Sequence, residues 1–324
     1  MRRLLGLLAV VLLALSGLAF AQFGYPDKPI RILVGFSPGV APDITSRLFA
    51  DRFNESWAKG VVVENVTGAG GQTGSKRVAD APPDGYNILI GTVGTHAQSQ
   101  TLYKKPLYNA STDFTPVGLI AQVPILLIAR KDLPVKDFKE FVAYAKANQS
   151  KMQFGSAGAG SATHLGCVLL NYMIGVDITH VPYRGTAQSM VDLMQGRIEL
   201  SVSTIPPTLQ QIHEGKLRAL AVMGEHRNAM LPEIPTVAEA GVPGCEAGLW
   251  TAIVVPAGTP APIVKRLNEA MLAVAAASDV QQAMKIQGVD PEPGSPEAVA
   301  ERIKADVVKW KDVVTVAKIA GAQQ

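Results

Sequence analysis

From Ile30 onward the chain alternates short runs of β-branched and aliphatic residues with longer stretches whose apolar positions recur every three or four residues. That alternation predicts an α/β protein whose strands are mostly parallel and flanked by helices. Ile30 to Phe36 reads as a strand and 44–57 as a helix, with Ile44, Leu48, Phe49 and Phe53 near helical spacing. Strands are expected next at 61–64, 87–91 and 117–120, with a helix beginning near Gly74. A second set follows: strand 125–129, helix 136–147, strand 152–155, helix 162–173, strand 178–181, helix 187–195, and strands 198–202 and 217–223. Thr236 and Glu239 form a capping box for a short helix that Gly241 can close. Strand 250–255 then precedes helices 263–277 and 296–317, the last with Ser295 as N-cap and Pro296 in its first turn.

Two strand-to-helix turns are alike. Phe36-Ser37-Pro38-Gly39 leads into a helix carrying Asp43 and Thr45, and Phe154-Gly155-Ser156-Ala157-Gly158 leads into one carrying Ser161 and Thr163. In open α/β sheets, ligands bind outside the carboxyl ends of the strands. A helix N-terminus there offers unpaired N–H groups and about half a positive charge, to which Ser37, Ser156 and Ser161 can add donors, so two facing termini can hold a carboxylate without an arginine. Ser161 as a plain helix cap and Ser37-Pro38-Gly39 as a plain tight turn are the rival readings. Asp43 either holds its loop in shape or meets a ligand hydroxyl or amine. Gly91-Thr92-Val93-Gly94-Thr95-His96 makes a third polar loop at a strand end, where His96, like His164, is expected to orient or pack and not to act as a base.

The tools of an enzyme are missing from the sequence. It has no G-x-S-x-G elbow, no H-E-x-x-H, and no metal-ligand spacing among His96, His164, His180, His213 and His226. Gly70-Gly71-Gln72-Thr73-Gly74-Ser75-Lys76 matches a phosphate loop in composition only and reads as a flexible turn before a helix. No cofactor is implied. With 30 Lys and Arg against 27 Asp and Glu, a formal net charge of +3 and no basic run, nucleic acid is an improbable partner. Cys167 and Cys245 form no C-x-x-C and read as small buried residues. At 324 residues, 48% of them hydrophobic and 18% charged, the chain has room for two domains.

Arg2 and Arg3, an apolar run to about Leu18, and small residues ending at Ala21 read as a secretory signal peptide over 1–21. Its removal takes the formal charge from +3 to +1 and implies an exported protein. Four N-x-S/T sequons, at Asn54, Asn65, Asn109 and Asn148, carry no weight in a bacterial export setting.

Eight segments in register then resemble one family. They are Tyr25-Pro26-x-Lys28-Pro29-Ile30, Phe36-x-Pro38-Gly39-x3-Asp43, Ala81-Pro82-Pro83-Asp84-Gly85-Tyr86, Phe154 to Gly158, His180 to Gly185, Gly215 to Val222, Pro235 to Gly241 and Pro256 to Pro260. Together they look like the tripartite tricarboxylate transporter substrate-binding proteins, the TctC or Bug family, over essentially the whole mature chain. The resemblance implies a two-domain periplasmic binding protein of type II that closes on a small organic carboxylate, aromatic acids and dicarboxylates included, and passes it to an inner-membrane permease. It also implies a first domain built from the N-terminal part and the C-terminal helices around an inserted second; strands going out at 120–124 and coming back at 248–251 put the bounds at 22–122 with 250–324, and 123–249, and a monomer is expected. Carried over by residue, the ligand site comprises Phe36, Ser37, Gly39 and Asp43, then Thr92, Gly94, Thr95 and His96, then Ser156, Gly158, Gly160, Ser161 and His164, with Ser203 and Thr204 at a further strand end. Val40 stands where the family usually has glycine, which narrows the pocket or forbids a positive φ. Ser203 stands near a common Phe-Asp-Asn, which points away from amino acids and towards a plain or aromatic carboxylate. A sensory module presenting its ligand to a receptor, and a secreted hydrolase or isomerase, remain the alternatives.

Overall fold

The computed structural model describes residues 24–57 and 59–317, so the expected signal peptide lies outside the described residues. β1 (Ile30–Val34) leads through α1 (Ala41–Ser56) to β2 (Val61–Asn65), and that through α2 (Gln72–Ala79) to β3 (Asn87–Thr92). The three strands pair in parallel in the order β2-β1-β3. Because the chain steps first to one side of β1 and then to the other, right-handed crossovers put α1 and α2 on opposite faces. Packing follows: Ile32 shares an apolar cluster with Phe49 and Phe53 of α1, whereas Leu33, the next residue along β1, clusters with Val78 of α2. A strand covered on both faces has to be apolar at successive positions, which is why β1 shows no clean alternation.

A turn at Gly94–Gln98 with π-helical bonding and the short α3 (Ser99–Leu102) lead to β4 (Phe114–Arg130). After α4 (Phe138–Asn148) the first pattern is repeated: β5 (Gln153–Ser156), α5 (Ala162–Ile174), β6 (Thr179–Pro182), α6 (Thr186–Met194) and β7 (Leu200–Thr204), with strand order β6-β5-β7. Again the helices take opposite faces. Leu165 and Leu169 of α5 belong to the large core cluster, and Met190 and Leu193 of α6 to a second one with Leu126 and Ile128 of β4. Each set therefore has a switch point, between β1 and β3 and between β5 and β7, where its loops diverge and leave a crevice.

α7 (Pro206–His213), β8 (Leu217–Val222) and β9 (Gly248–Pro256) follow. α8 (Ala261–Ala276), α9 (Ser278–Ile286), the two-residue β10 (Asp290–Pro291) and α10 (Pro296–Val316) complete the chain. Two expected strands, 117–120 and 125–129, are one 17-residue strand. Up to Pro124, opposite Gly248, β4 pairs with β9; from Ile125 it pairs with β7, and from Leu126 with β8 as well. A proline has no N–H to give a ladder, and Pro124 sits where the partners change. All pairings of β4, β8, β9 and β10 are antiparallel. Each parallel trio is thus completed by antiparallel strands and the sheet is mixed, because strands that run out and back between the trios need no crossover helix. At 236–239 the reciprocal capping bonds form, Glu239 N to Thr236 Oγ1 at 3.1 Å and Thr236 N to Glu239 Oε2 at 3.0 Å, but they close a turn and no helix. Gly241, at φ 106°, follows too soon for more. Cys167 and Cys245 are buried free thiols.

Candidate functional site

The loops after β1, β3, β5 and β7 meet at the two switch points. In the first, Gly39 takes φ 82°, and its N–H donates to Asp43 Oδ2 at 2.9 Å. Asp43 also accepts from Asn65 Nδ2 at 2.9 Å and from Arg47 Nε at 3.1 Å. Burial alone would push this carboxyl up, but the bonds from Arg47, Gly39 and Asn65 outweigh it and hold the pKa below the ordinary carboxylate value. With its acceptor sites taken, Asp43 shapes the loop. Val40 adopts φ −87°, so no positive φ is needed there, and its side chain lines the cavity.

In the third loop the hydroxyls close on themselves. Ser161 Oγ donates to Gly158 O at 2.6 Å and caps α5 by accepting from His164 N at 3.3 Å. Thr163 Oγ1 accepts from Ala157 N at 2.9 Å. Ser156 Oγ accepts from Gly158 N at 3.1 Å and lies 2.7 Å from His180 Nε2. This serine and histidine make a poor nucleophile and base. Ser156 is buried and His180 half-buried, His180 is pushed down to about 4 by desolvation, and its ring stacks on His164 at 4.0 Å. A catalytic base needs a pKa near the working pH and a group to orient it, so the pair braces the loop.

Thr92, Thr95 and His96 likewise bond among themselves: Thr92 N donates to Thr95 Oγ1 at 3.0 Å, and Thr95 Oγ1 lies 2.8 Å from His96 Nδ1. The wholly buried His96 ring packs against Phe114 at 4.9 Å between centroids and does not line the cavity; burial lowers its pKa to about 4. Gly94 is the forward point of this loop, where a Cβ would stand 3.2 Å from both Ala162 N and Gly160 O. Ser203 and Thr204 point to opposite sides of β7, and of the two only Thr204 lines the cavity.

Of the expected residues, the cavity wall thus contains Phe36, Ser161 and Thr204, together with Val40; Ser37, Gly39, Asp43, Ser156, Gly158, Gly160 and His164 build the loops around it. Two parts were not foreseen. The turn Ala69–Gly71 abuts the loop before α5: a Cβ on Gly70, itself at φ 62°, would run into the Ala159 carbonyl and stand 2.9 Å from Ser161 N. Across the same seam Tyr103 Oη donates to Ala159 O at 3.1 Å, and Ser37 Oγ to Arg184 O at 3.4 Å. The second part is Gly185 and Thr186, at the start of α6.

The cavity therefore receives three helix starts: Val40 and Pro42 from α1, Ser161, Ala162 and Thr163 from α5, and Gly185 and Thr186 from α6; Thr204 lines it from the end of β7. Phe36 and Leu249 supply apolar wall, and no charged side chain is among its lining residues. Three positive helix ends, with the N–H groups their first turns leave free, favour an anion of modest size. A larger hollow of about 440 Å³ adjoins the strand crossing at Pro124 and Gly248, lined by charges of both signs such as Glu246, Asp290, Arg302 and Lys309. It has no lining residue in common with the loop cavity and touches none of the glycine loops.

The chain matches the model of the tripartite tricarboxylate transporter family receptor over residues 45–319. It is 31% identical to the protein BugT of Bordetella pertussis over 317 residues, 97% of each chain. Its fold superposes on the periplasmic binding protein BugD with a TM-score of 0.88, at 37% identity and covering 93% of this chain and 100% of that one. MatC of Rhodopseudomonas palustris, solved with bound malate, gives 0.85 at 34% identity, covering 90% of this chain and 100% of that one. With a family match across most of its length and two-domain periplasmic binding proteins as structural neighbours, this chain belongs to the TctC or Bug family of solute-binding proteins.

Proposed function

We propose that the protein captures a small organic carboxylate in the cleft between two hinged domains and hands it to a tripartite tricarboxylate-type permease in the inner membrane. The observation that carries this reading is the convergence of three helix starts on one cavity whose lining has no cation. Binding of malate by the neighbour MatC supports the ligand class. In this reading the domains are 22–122 with 250–324, and 123–249. The hinge is the pair β4 and β9, where β4 changes partners after Pro124. Ligand contacts from both sides favour the closed form, since a ligand shifts a hinge equilibrium only by its preference for one state. The signal peptide is cleaved and the mature protein works in the periplasm as a monomer.

Thermal denaturation of the mature protein with a panel of mono-, di- and tricarboxylates, neutral sugars and amines tests the ligand class. A cognate acid at about 100 times its Kd stabilises the fold by roughly 2.7 kcal/mol. Stabilisation by a sugar or an amine with none by any carboxylate would overturn the reading.

A further inference from the structure

A third hollow, also of about 440 Å³, lies between α10 and the sheet, beside the start of β4 and the end of β9. It shares no lining residue with the loop cavity or with the hollow at the strand crossing. Ala300, Ile303, Lys304, Val307 and Val308 recur at intervals of three and four along α10, so one face of that helix forms a wall. Phe114, Val254 and Ile303 are buried and apolar. His96 is different: it is wholly buried, it lines the same hollow, and its Nε2 has no hydrogen-bond partner in the protein. The cause is a surrounding that offers the ring one local bond, Nδ1 to Thr95 Oγ1 at 2.8 Å, and otherwise the rings of Phe114, Tyr108 and Trp250.

We propose that this hollow binds an uncharged apolar molecule bearing a hydroxyl, an alcohol or a phenol, whose hydroxyl bonds His96 Nε2. The proposal goes beyond the carboxylate reading and does not depend on it. The hollow has the size of a small-molecule site, for which roughly 300–1,000 Å³ is usual. A buried polar atom without a partner has lost the bond that water gave it in the unfolded chain, and a ligand group that pairs with it restores that bond. Depending on which of Nδ1 and Thr95 Oγ1 donates, Nε2 is left as acceptor or donor, and a hydroxyl can answer either. A charged group is disfavoured, because burial lowers the His96 pKa to about 4 and the ring has no charge at neutral pH to offset one. Lys304 is the one charged side chain in the lining, and it is exposed, so its head group stays in water. Contact with Phe114, Val254, Ile303 and Val307 takes the apolar body of the ligand out of water and supplies the affinity. On the hinged reading every lining residue belongs to one domain, so binding here needs no closure.

Equilibrium dialysis of the mature protein at neutral pH against 2-naphthol and naphthalene, the same rings with and without a hydroxyl, tests this. Naphthol is expected to saturate a single site and to bind about tenfold or more tightly than naphthalene. His96→Phe, which keeps a ring and removes Nε2, should bring naphthol down to the naphthalene level. Ala300→Trp, at an exposed position of the lining, should fill the hollow and weaken naphthol about tenfold or more, with carboxylate binding in the cleft as in the wild type. If the phenylalanine variant fails to fold, the two ligands on the wild type and the tryptophan variant still decide. No saturable naphthol binding, equal binding of the two ligands, naphthol binding that survives Ala300→Trp, or displacement of naphthol by an equal concentration of the anion 2-naphthoate would each overturn the proposal. None of these outcomes touches the carboxylate reading.

Discussion

Gly70 has two reasons to be glycine, and they act on different states. Its φ of 62° costs an L-residue about 1 kcal/mol wherever the loop lies, whereas its collision with Ala159 O exists only when the loops touch. Gly70→Ala should therefore melt within a few degrees of wild type without ligand, yet lose at least tenfold in affinity by titration calorimetry. Wild-type affinity in that variant would show that the seam is not needed for binding. The sequence gives a run, Gly68 to Gly71, that composition alone makes a flexible turn; the contact that gives it meaning comes from 159–161, some 90 positions away in the chain. Phe36, Ser161 and Thr204 were legible because each follows or ends a recognisable strand. Thr186 was not, since the expected helix began one residue later, at 187, and nothing local distinguishes a threonine that caps from one that lines a cavity.

At the scale of elements, the loop between β5 and α5 leans on a stack of side chains from α5, β5 and β6. His164 lies over His180, which lies over Phe154 at 4.8 Å, and His164 Nδ1 accepts from Gly160 N at 3.2 Å. Desolvation, with the neighbouring imidazole, pushes His164 down to about 3, and desolvation sets His180 and His96 at about 4. Unfolded histidines titrate near 6.5, so below that pH the unfolded chain binds more protons than the native one and stability falls. The contribution is whole above about pH 6.5 and is lost progressively towards pH 4, on the order of 2 kcal/mol per histidine by pH 5. Melting curves at pH 7.5 and pH 5 should show the drop, and His164→Asn should shrink it; pH-independent melting would contradict the account. The periodicity exposed most helices, but not that 117–120 and 125–129 are one strand, because Pro124 reads locally as a break and only pairing with Gly248 carries the strand through it.

Over the whole molecule, two copies of one strand order, β2-β1-β3 and β6-β5-β7, face each other through their switch points. The two similar glycine loops predicted that pairing, while the antiparallel strands joining the trios, set by contacts distant in sequence, were beyond local pattern. On the hinged reading, X-ray scattering should show the radius of gyration falling when a cognate acid is added, with the mass of one chain throughout. An unchanged radius alongside tight binding would argue for a preformed site.

The seam deserves a kinetic reading. Where Gly70 and Gly94 meet 158–162 it is backbone against backbone, and no ion pair among the described residues joins 24–122 or 250–317 to 123–249. Glycine has no rotamers to freeze, so shutting this seam immobilises few side chains and reopening it strips no paired charges. On the hinged reading, a partner that draws the halves apart breaks the ligand's own bonds and a few neutral ones, such as Tyr103 Oη to Ala159 O and Ser37 Oγ to Arg184 O, and salt should leave the release rate almost unaltered.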